Sequence, residues 1–116
     1  MSKYYPNILE ELNEAVSRLD EGISDVMEGY FAMSSAAKAD GHLDKKTKEL
    51  IATAIGVAVK CDSCIASHIK GAGKNGATRE EVLEALGVAV FMGGGPSVVY
   101  ASQALEAFDQ LTTRVD

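Results

Sequence analysis

The ten residues from Leu50 to Val59 have the sequence LIATAIGVAV, which is apolar on nearly every side of a helix. Charged residues flank this stretch, in the run KKTKE before it and at Lys60 and Asp62 after it. A helix that is hydrophobic all round is typically buried among other elements. We therefore predict a central helix over Lys45 to Val59 that is buried on every side.

The rest of the chain has the same helical period. Apolar residues recur at spacings of three and four and never alternate with polar residues over the length of a strand. Before the central helix, an amphipathic stripe from Ile8 to Phe31 is interrupted near Gly22, which predicts one bent helix or two. Three helices are predicted after it: Ser63–Lys74, a helix opened by Thr78 that continues through Phe91, and a last helix from Pro96 through Leu111. The sequence therefore predicts an all-α bundle of about six helices, as one domain over residues 1–116.

The helix boundaries carry their own signals. Asp44 can cap the central helix by accepting amide hydrogens of its first turn, and Thr78 with Glu81 matches a capping box. The pair Asn75-Gly76 suits the left-handed conformation that ends a helix. The run Gly93-Gly94-Gly95 follows a helix and lacks the Gly-Lys-Ser/Thr ending of a P-loop, so we interpret it as a loop and not as a phosphate site.

Composition and charge exclude several classes of function. The net charge of −6 would repel a nucleic acid backbone. The apolar stretches are far shorter than the roughly 20 residues that span a bilayer, and the first residues have no signal-peptide pattern. We therefore expect a cytoplasmic protein that binds neither nucleic acid nor membrane.

The apolar content also bears on assembly. Hydrophobic residues make up 47% of the sequence but aromatic residues only 6%, so the core must consist of Ala, Val, Leu and Ile. A chain of 116 residues buries only about two thirds of its surface on folding. The apolar excess therefore predicts an interface between subunits.

The candidate chemistry lies at the start of the fourth predicted helix. Cys61 and Cys64 are three residues apart, which puts their sulfurs on one face of a helix and within reach of a disulfide. His68 lies one turn beyond Cys64 on the same face, so its imidazole can accept a thiol proton. A helix N-terminus and a nearby imidazole both lower the pKa of a thiol. The helix start favours Cys61 as the nucleophile and His68 favours Cys64, and the pattern alone leaves both open.

Two other interpretations of the cysteines remain open. Free cysteines are often buried as small apolar side chains, so the pair can be purely structural. Alternatively Cys61, Cys64 and His68 can hold zinc, with His42 as a fourth ligand, although zinc sites usually combine two separated ligand pairs.

Glu49 is the remaining candidate. It lies at the edge of the apolar stretch, twelve residues before Cys61, and a carboxylate there can orient His68 or take a proton from it. The pattern alone favours an ordinary surface glutamate of the charged run that begins at Lys45.

Taken together, Glu49, Cys61-x-x-Cys64 and His68, followed by a glycine-containing helix end and another amphipathic helix, resemble the alkylhydroperoxidase D-like branch of the carboxymuconolactone decarboxylase superfamily. The resemblance covers about residues 45 to 92. It implies an all-helical fold and a trimer or hexamer. It also implies catalysis without a metal or cofactor.

The resemblance implies a role for each residue. Cys64 attacks the hydroperoxide and becomes a sulfenic acid, and Cys61 resolves it as a disulfide. Glu49 and His68 form the proton relay that activates Cys64. A thioredoxin-like or lipoyl-bearing partner then reduces the disulfide.

One residue departs from the family pattern. The founding peroxidases carry a histidine just before the second cysteine, where this chain has Ser63. The chain also resembles a one-repeat member of the family, whose second half-site can come from a neighbouring subunit. The competing hypotheses are a lactone decarboxylase, which does not depend on a redox cysteine pair, and a metal-binding or structural helical module.

Overall fold

The computed structural model describes residues 3–112, and within that range the chain forms six α-helices and no strand. The helices are α1 (Tyr5–Gly22), α2 (Ser24–Lys38), α3 (Lys45–Ala58), α4 (Asp62–Lys74), α5 (Arg79–Gly93) and α6 (Gly95–Thr112). The predicted all-α bundle is confirmed. The interruption near Gly22 separates two helices, because the backbone of Ile23 leaves the helical region (φ −136°, ψ 53°).

The predicted capping signals are also confirmed. Asp44 caps α3 by accepting the amide hydrogen of Thr47 at 2.8 Å. Thr78 and Glu81 form both hydrogen bonds of a capping box at the start of α5. After α4 the left-handed conformation falls on Gly76 (φ 89°), where glycine has no Cβ to oppose it. The predicted loop at Gly93-Gly94-Gly95 is shorter than expected: Gly93 ends α5 and Gly95 begins α6, because the positive φ of Gly94 (71°) is enough to turn the chain.

The core lies between α3, α4, α5 and α6, with α1 packed across α4 and α6. Its fully buried larger side chains include Tyr5, Val57, Ile65, Ile69 and Val82. Much of the remaining core is alanine, as the low aromatic content predicts, and small side chains let helix axes approach closely. At Gly56, α3 comes close to α4, and an added Cβ would lie 3.3 Å from Cβ of Cys64.

The prediction that α3 is buried on every side is wrong for the isolated chain. Ile51, Ile55 and Val59 expose 45%, 57% and 63% of their surface. One side of α3 packs on α4, α5 and α6, whereas the other side forms an open apolar surface together with Val88 and Met92 of α5. Over the described residues, none of the helices combines the length and the apolar character needed to cross a bilayer.

Candidate active site

The connection between α3 and α4 positions the first cysteine. Lys60 adopts a left-handed conformation (φ 61°), which is uncommon for a residue with a side chain. The chain then reverses, and the amide of Cys61 donates to the carbonyl of Gly56 at 3.0 Å. Cys61 consequently becomes the N-cap of α4, and its Sγ accepts a hydrogen bond from the amide of Cys64 at 3.2 Å.

Cys61 and Cys64 are joined by a disulfide, with their Cα atoms 5.2 Å apart. Both residues are half-buried, so the bond lies near the surface at the start of α4. This confirms the prediction, made from their spacing, that the two sulfurs can bridge. Cys64 also lies in the first turn of α4, where unpaired amide hydrogens stabilise negative charge on a sulfur.

Glu49 crosses from α3 to meet the cysteine helix. Its Oε1 lies 2.6 Å from Nδ1 of His68, and the residue exposes only 7% of its surface. The interpretation of Glu49 as an ordinary surface residue is therefore wrong. A carboxylate that is buried to this extent needs a hydrogen-bonded partner, and His68 supplies it.

The hydrogen bond at Nδ1 fixes the role of the other ring nitrogen. In a neutral imidazole whose Nδ1–H donates to Glu49, Nε2 is the free acceptor. His68 lies one helical turn beyond Cys64, so the two side chains leave the same face of α4. The arrangement has the parts of an activated nucleophile: a thiol, a base and a carboxylate that orients the base.

Gly71 makes room for the Glu49 carboxylate. A Cβ at Gly71 would lie 2.6 Å from Cδ of Glu49, which is much closer than two carbon atoms approach. The sequence analysis did not identify this residue. Its signal was available, because a glycine within a helix weakens the helix by about 1 kcal/mol relative to alanine and usually has a packing or functional reason.

A second network, also absent from the sequence analysis, holds the residue between the two cysteines. The ammonium group of Lys3 lies 2.9 Å from the carboxylate of Asp62, and the hydroxyl of Tyr5 donates to the same carboxylate at 3.3 Å. Burial raises the pKa of Tyr5, and the negative charge of Asp62 raises it further. Lys3 and Tyr5, the first residue of α1, thus stabilise the start of α4.

The zinc ligand set proposed from the sequence is not assembled. His42 is exposed in the loop between α2 and α3. Across residues 3–112, no three side chains of His, Cys, Asp or Glu are grouped in a way that could hold a metal ion.

Three open pockets surround the Glu49–His68 pair. One, of about 360 Å³, has His68, Tyr30, Phe31 and Lys38 in its walls. The other two, of about 340 Å³ each, have Glu49 and again Lys38 in their walls. Both members of the pair are therefore within reach of a small molecule from solvent.

Comparison with known proteins places this geometry in a family. The sequence model of the carboxymuconolactone decarboxylase family matches residues 24–107. The chain belongs to the carboxymuconolactone decarboxylase family. The match extends beyond residues 45 to 92, on which the resemblance was first based, and includes α2 and most of α6.

Relatives of known structure share the whole fold. A carboxymuconolactone decarboxylase family protein from Legionella pneumophila is 45% identical and superposes with a TM-score of 0.92, over 96% of this chain and 99% of that one. A family member from Thermotoga maritima, described with a possible involvement in an antioxidative response, is 31% identical with a TM-score of 0.78, over 89% of this chain and 91% of its own. An uncharacterized protein of the cox locus of Paracoccus denitrificans is 41% identical over 82% of this chain and 83% of its own length.

Proposed function

We propose that this protein is a thiol-dependent peroxidase that reduces organic hydroperoxides through a Cys61–Cys64 dithiol-disulfide cycle. The observation that carries the proposal is the 2.6 Å hydrogen bond between Glu49 and His68, one helical turn from a cysteine that already forms a disulfide. A general base held by a buried carboxylate beside a dithiol has no role in a merely structural pair of cysteines.

The first step forms a sulfenic acid. Nε2 of His68 takes the thiol proton of Cys64, and the Glu49 carboxylate stabilises the imidazolium that results. The thiolate attacks the terminal oxygen of the hydroperoxide and the O–O bond breaks. Sulfur is oxidised to the sulfenic acid, and the departing alkoxide takes a proton from His68 to leave as the alcohol.

The second step closes the disulfide. The sulfur of Cys61 attacks the sulfenic sulfur of Cys64, and hydroxide leaves with the Cys61 proton as water. A dithiol donor of the thioredoxin-like or lipoyl-bearing kind then reduces the disulfide and is itself oxidised. The cycle requires a compartment that supplies reduced dithiols, and a cytoplasmic protein meets that requirement.

Cys64 is the proposed nucleophile because it shares a helix face with His68, whereas Cys61 caps the helix and accepts the amide of Cys64. Ser63 stands where the founding peroxidases have a histidine. A serine hydroxyl can donate and accept a hydrogen bond, but unlike an imidazole it neither gains nor loses a proton near neutral pH. Proton transfer in the proposed cycle therefore depends on the Glu49–His68 pair.

We also propose that the protein works as a homo-oligomer, a trimer or a hexamer. The support is the exposed apolar surface of α3 and α5, where Ile55, Val88 and Met92 are 57%, 60% and 73% exposed. An apolar surface of this kind on a small chain is typical of a subunit interface.

The test is a single turnover. Fully reduced protein is mixed with one equivalent of cumene hydroperoxide while free thiols and intact mass are followed together. We expect rapid loss of both thiols and of two hydrogens, with no reaction in Cys64→Ser. Cys61→Ser should instead gain one oxygen, as a sulfenic acid that cannot be resolved. Thiols that stay free in the wild-type protein would refute the peroxidase proposal, and loss of reaction only in Cys61→Ser would reverse the two roles.

A further inference from the structure

The three pockets around the Glu49–His68 pair share their walls. Lys38 lines all three, Asn13 and Ser67 line two of them, and Glu49 and Asn75 line the two on the other side of Lys38. Because they share these walls, they form one recess between α1, α2, α3 and α4, and Lys38 lies where its three parts meet.

One end of this recess has an apolar wall, with polar side chains opposite it. The pocket of about 360 Å³ is walled by Leu12 and Val16 of α1 and by Tyr30 and Phe31 of α2, with His68 opposite. The two aromatic rings pack edge to face with centroids 5.8 Å apart, which leaves them partly exposed to the pocket. Such a wall suits the hydrocarbon body of an organic molecule.

The other end is cationic. Lys38 lines both pockets that contain Glu49, Lys45 lines one of them, and Lys70 and Lys74 line the other. This concentration of positive charge is unusual in a chain with a net charge of −6. Clefts lined by one sign of charge raise the local concentration of ligands of the opposite sign.

Among residues 3–112, none of these four lysines forms a salt bridge, in contrast to three other cations. Lys3, Lys46 and Arg79 each form a salt bridge with a carboxylate. Within residues 3–112, no carboxylate lies within salt-bridge distance of the four lysines of the recess. The one acidic side chain among them, Glu49, directs an oxygen to His68 instead. The recess thus offers positive charge that the protein itself does not neutralise.

We propose that the substrate is an organic hydroperoxide that carries a carboxylate. Its apolar body lies against Tyr30 and Phe31, its carboxylate binds Lys38, and its peroxide group faces His68 and Cys64. The proposal rests on the proposed peroxidase function and names the substrate class of that same site. It assigns Lys38 as a specificity-determining residue, which binds substrate without taking part in the proton transfer.

A small molecule fits these observations better than an acidic protein partner does. The apolar wall, the histidine and the shared lysine all lie inside a recess of a few hundred Å³, which is the size of a small-molecule site. A protein partner would use the lysines on a flat or convex surface, and its binding would not depend on the aromatic wall.

The experiment compares two probes that differ in one charge: cumene hydroperoxide and its para-carboxylate. The rate of thiol loss is measured for each with the reduced, full-length protein at low and at high salt. We expect the carboxylated probe to react about fivefold faster at low salt, since one partly exposed ion pair contributes up to about that factor. The ratio should fall as salt is added.

Three variants show which residue causes the preference for the carboxylated probe. Lys38→Gln should bring the two rates together, and Lys38→Arg should restore the preference. Arg18→Gln removes the same charge from an exposed position of α1 that lines none of the three pockets, and it should retain the preference.

The outcomes separate this proposal from the one on which it rests. Equal rates for the two probes, or a preference unchanged in Lys38→Gln, would overturn the carboxylate site and leave the peroxidase intact. A preference lost equally in Arg18→Gln would also overturn it, because net charge would then be the cause. If neither probe oxidises the dithiol, the peroxidase function fails and the substrate assignment fails with it.

Discussion

Gly71 lies in the last turn of α4, where it weakens the helix but admits the Glu49 carboxylate. The Glu49 carboxylate packs directly against the backbone of α4 at Gly71. A side chain at position 71 would occupy the space that this carboxylate fills. Glycine at position 71 therefore lets the buried carboxylate of Glu49, on α3, reach His68 on α4. Stability and function make opposite demands on this residue.

Gly71→Ala tests that opposition. Alanine would displace the Glu49 side chain and break its hydrogen bond to His68, so we expect the rate of peroxide-dependent thiol loss to fall at least tenfold. The matched control is Gly87→Ala in α5, where an added Cβ meets no atom within 4 Å. The control should gain about 0.5 to 1 kcal/mol in urea unfolding and keep full activity. Full activity in Gly71→Ala would show that the Glu49 position is not critical.

Glu49→Gln separates the effect of the carboxylate charge from the effect of the side-chain shape at position 49. The amide keeps the size of the side chain and can still accept the hydrogen bond from Nδ1, but it cannot stabilise an imidazolium. We expect single-turnover thiol oxidation to slow about a hundredfold, while far-UV circular dichroism stays unchanged. A wild-type rate in this variant would remove Glu49 from the proton relay.

The residues of the site differ in how far the sequence could predict them. Cys61, Cys64 and His68 lie within two turns of one helix, so helical geometry alone relates them. The contact of Glu49 with His68 joins two helices across 19 residues, and no local pattern encodes it. Here the pattern favoured a surface glutamate, and only the family resemblance indicated the relay.

At the scale of the element, the helix ends were predictable because capping is local. Thr78 and Glu81 satisfy each other's amides across three residues, so the sequence contains the whole interaction. The burial of α3 was not predictable in the same way. An apolar surface indicates that a helix is covered, but not whether this chain or another copy covers it. The prediction that α3 is a helix is therefore correct, whereas the prediction that it is buried on every side is wrong for the isolated chain.

The start of α5 should make stability depend on pH. The Lys46 ammonium group and the amide of Thr78 both hold the pKa of Glu81 below its usual value. A carboxylate with a lowered pKa in the folded state contributes stability at neutral pH, and the contribution is lost as the pH falls through that lowered pKa. We expect urea unfolding of Glu81→Gln to lack this part of the acid dependence.

The control for Glu81→Gln is Glu84→Gln, which removes the same charge from an exposed position of α5. It should retain the wild-type dependence on pH. If the two variants lose stability in parallel between neutral and acid pH, general charge repulsion and not the helix start would be responsible.

At the scale of the whole molecule, the exposed apolar surface of α3 and α5 and the active site lie on different sides of one scaffold. α3 contributes Glu49 to the site from its first turns and Ile51 and Ile55 to the apolar surface. Covering that surface in an oligomer would hold α3 in place and with it the carboxylate that the relay needs. Assembly and activity should therefore be coupled through α3.

Ile55→Lys tests this coupling. A separate pocket of about 290 Å³ between α3 and α5 is almost entirely apolar, and Ile55 lines it together with Val88 and Met92. A lysine at the centre of an apolar interface leaves a buried charge without a partner, so we expect light scattering to show a fall from a trimer or hexamer to the 12.2 kDa chain. The rate of thiol oxidation should fall together with the molecular mass.

The control is Ser17→Lys, which adds the same charge to an exposed position of α1 and should change neither the molecular mass nor the rate. A wild-type protein that is already a 12.2 kDa monomer would refute the oligomer, and a fully active Ile55→Lys monomer would show that the site is complete within one chain.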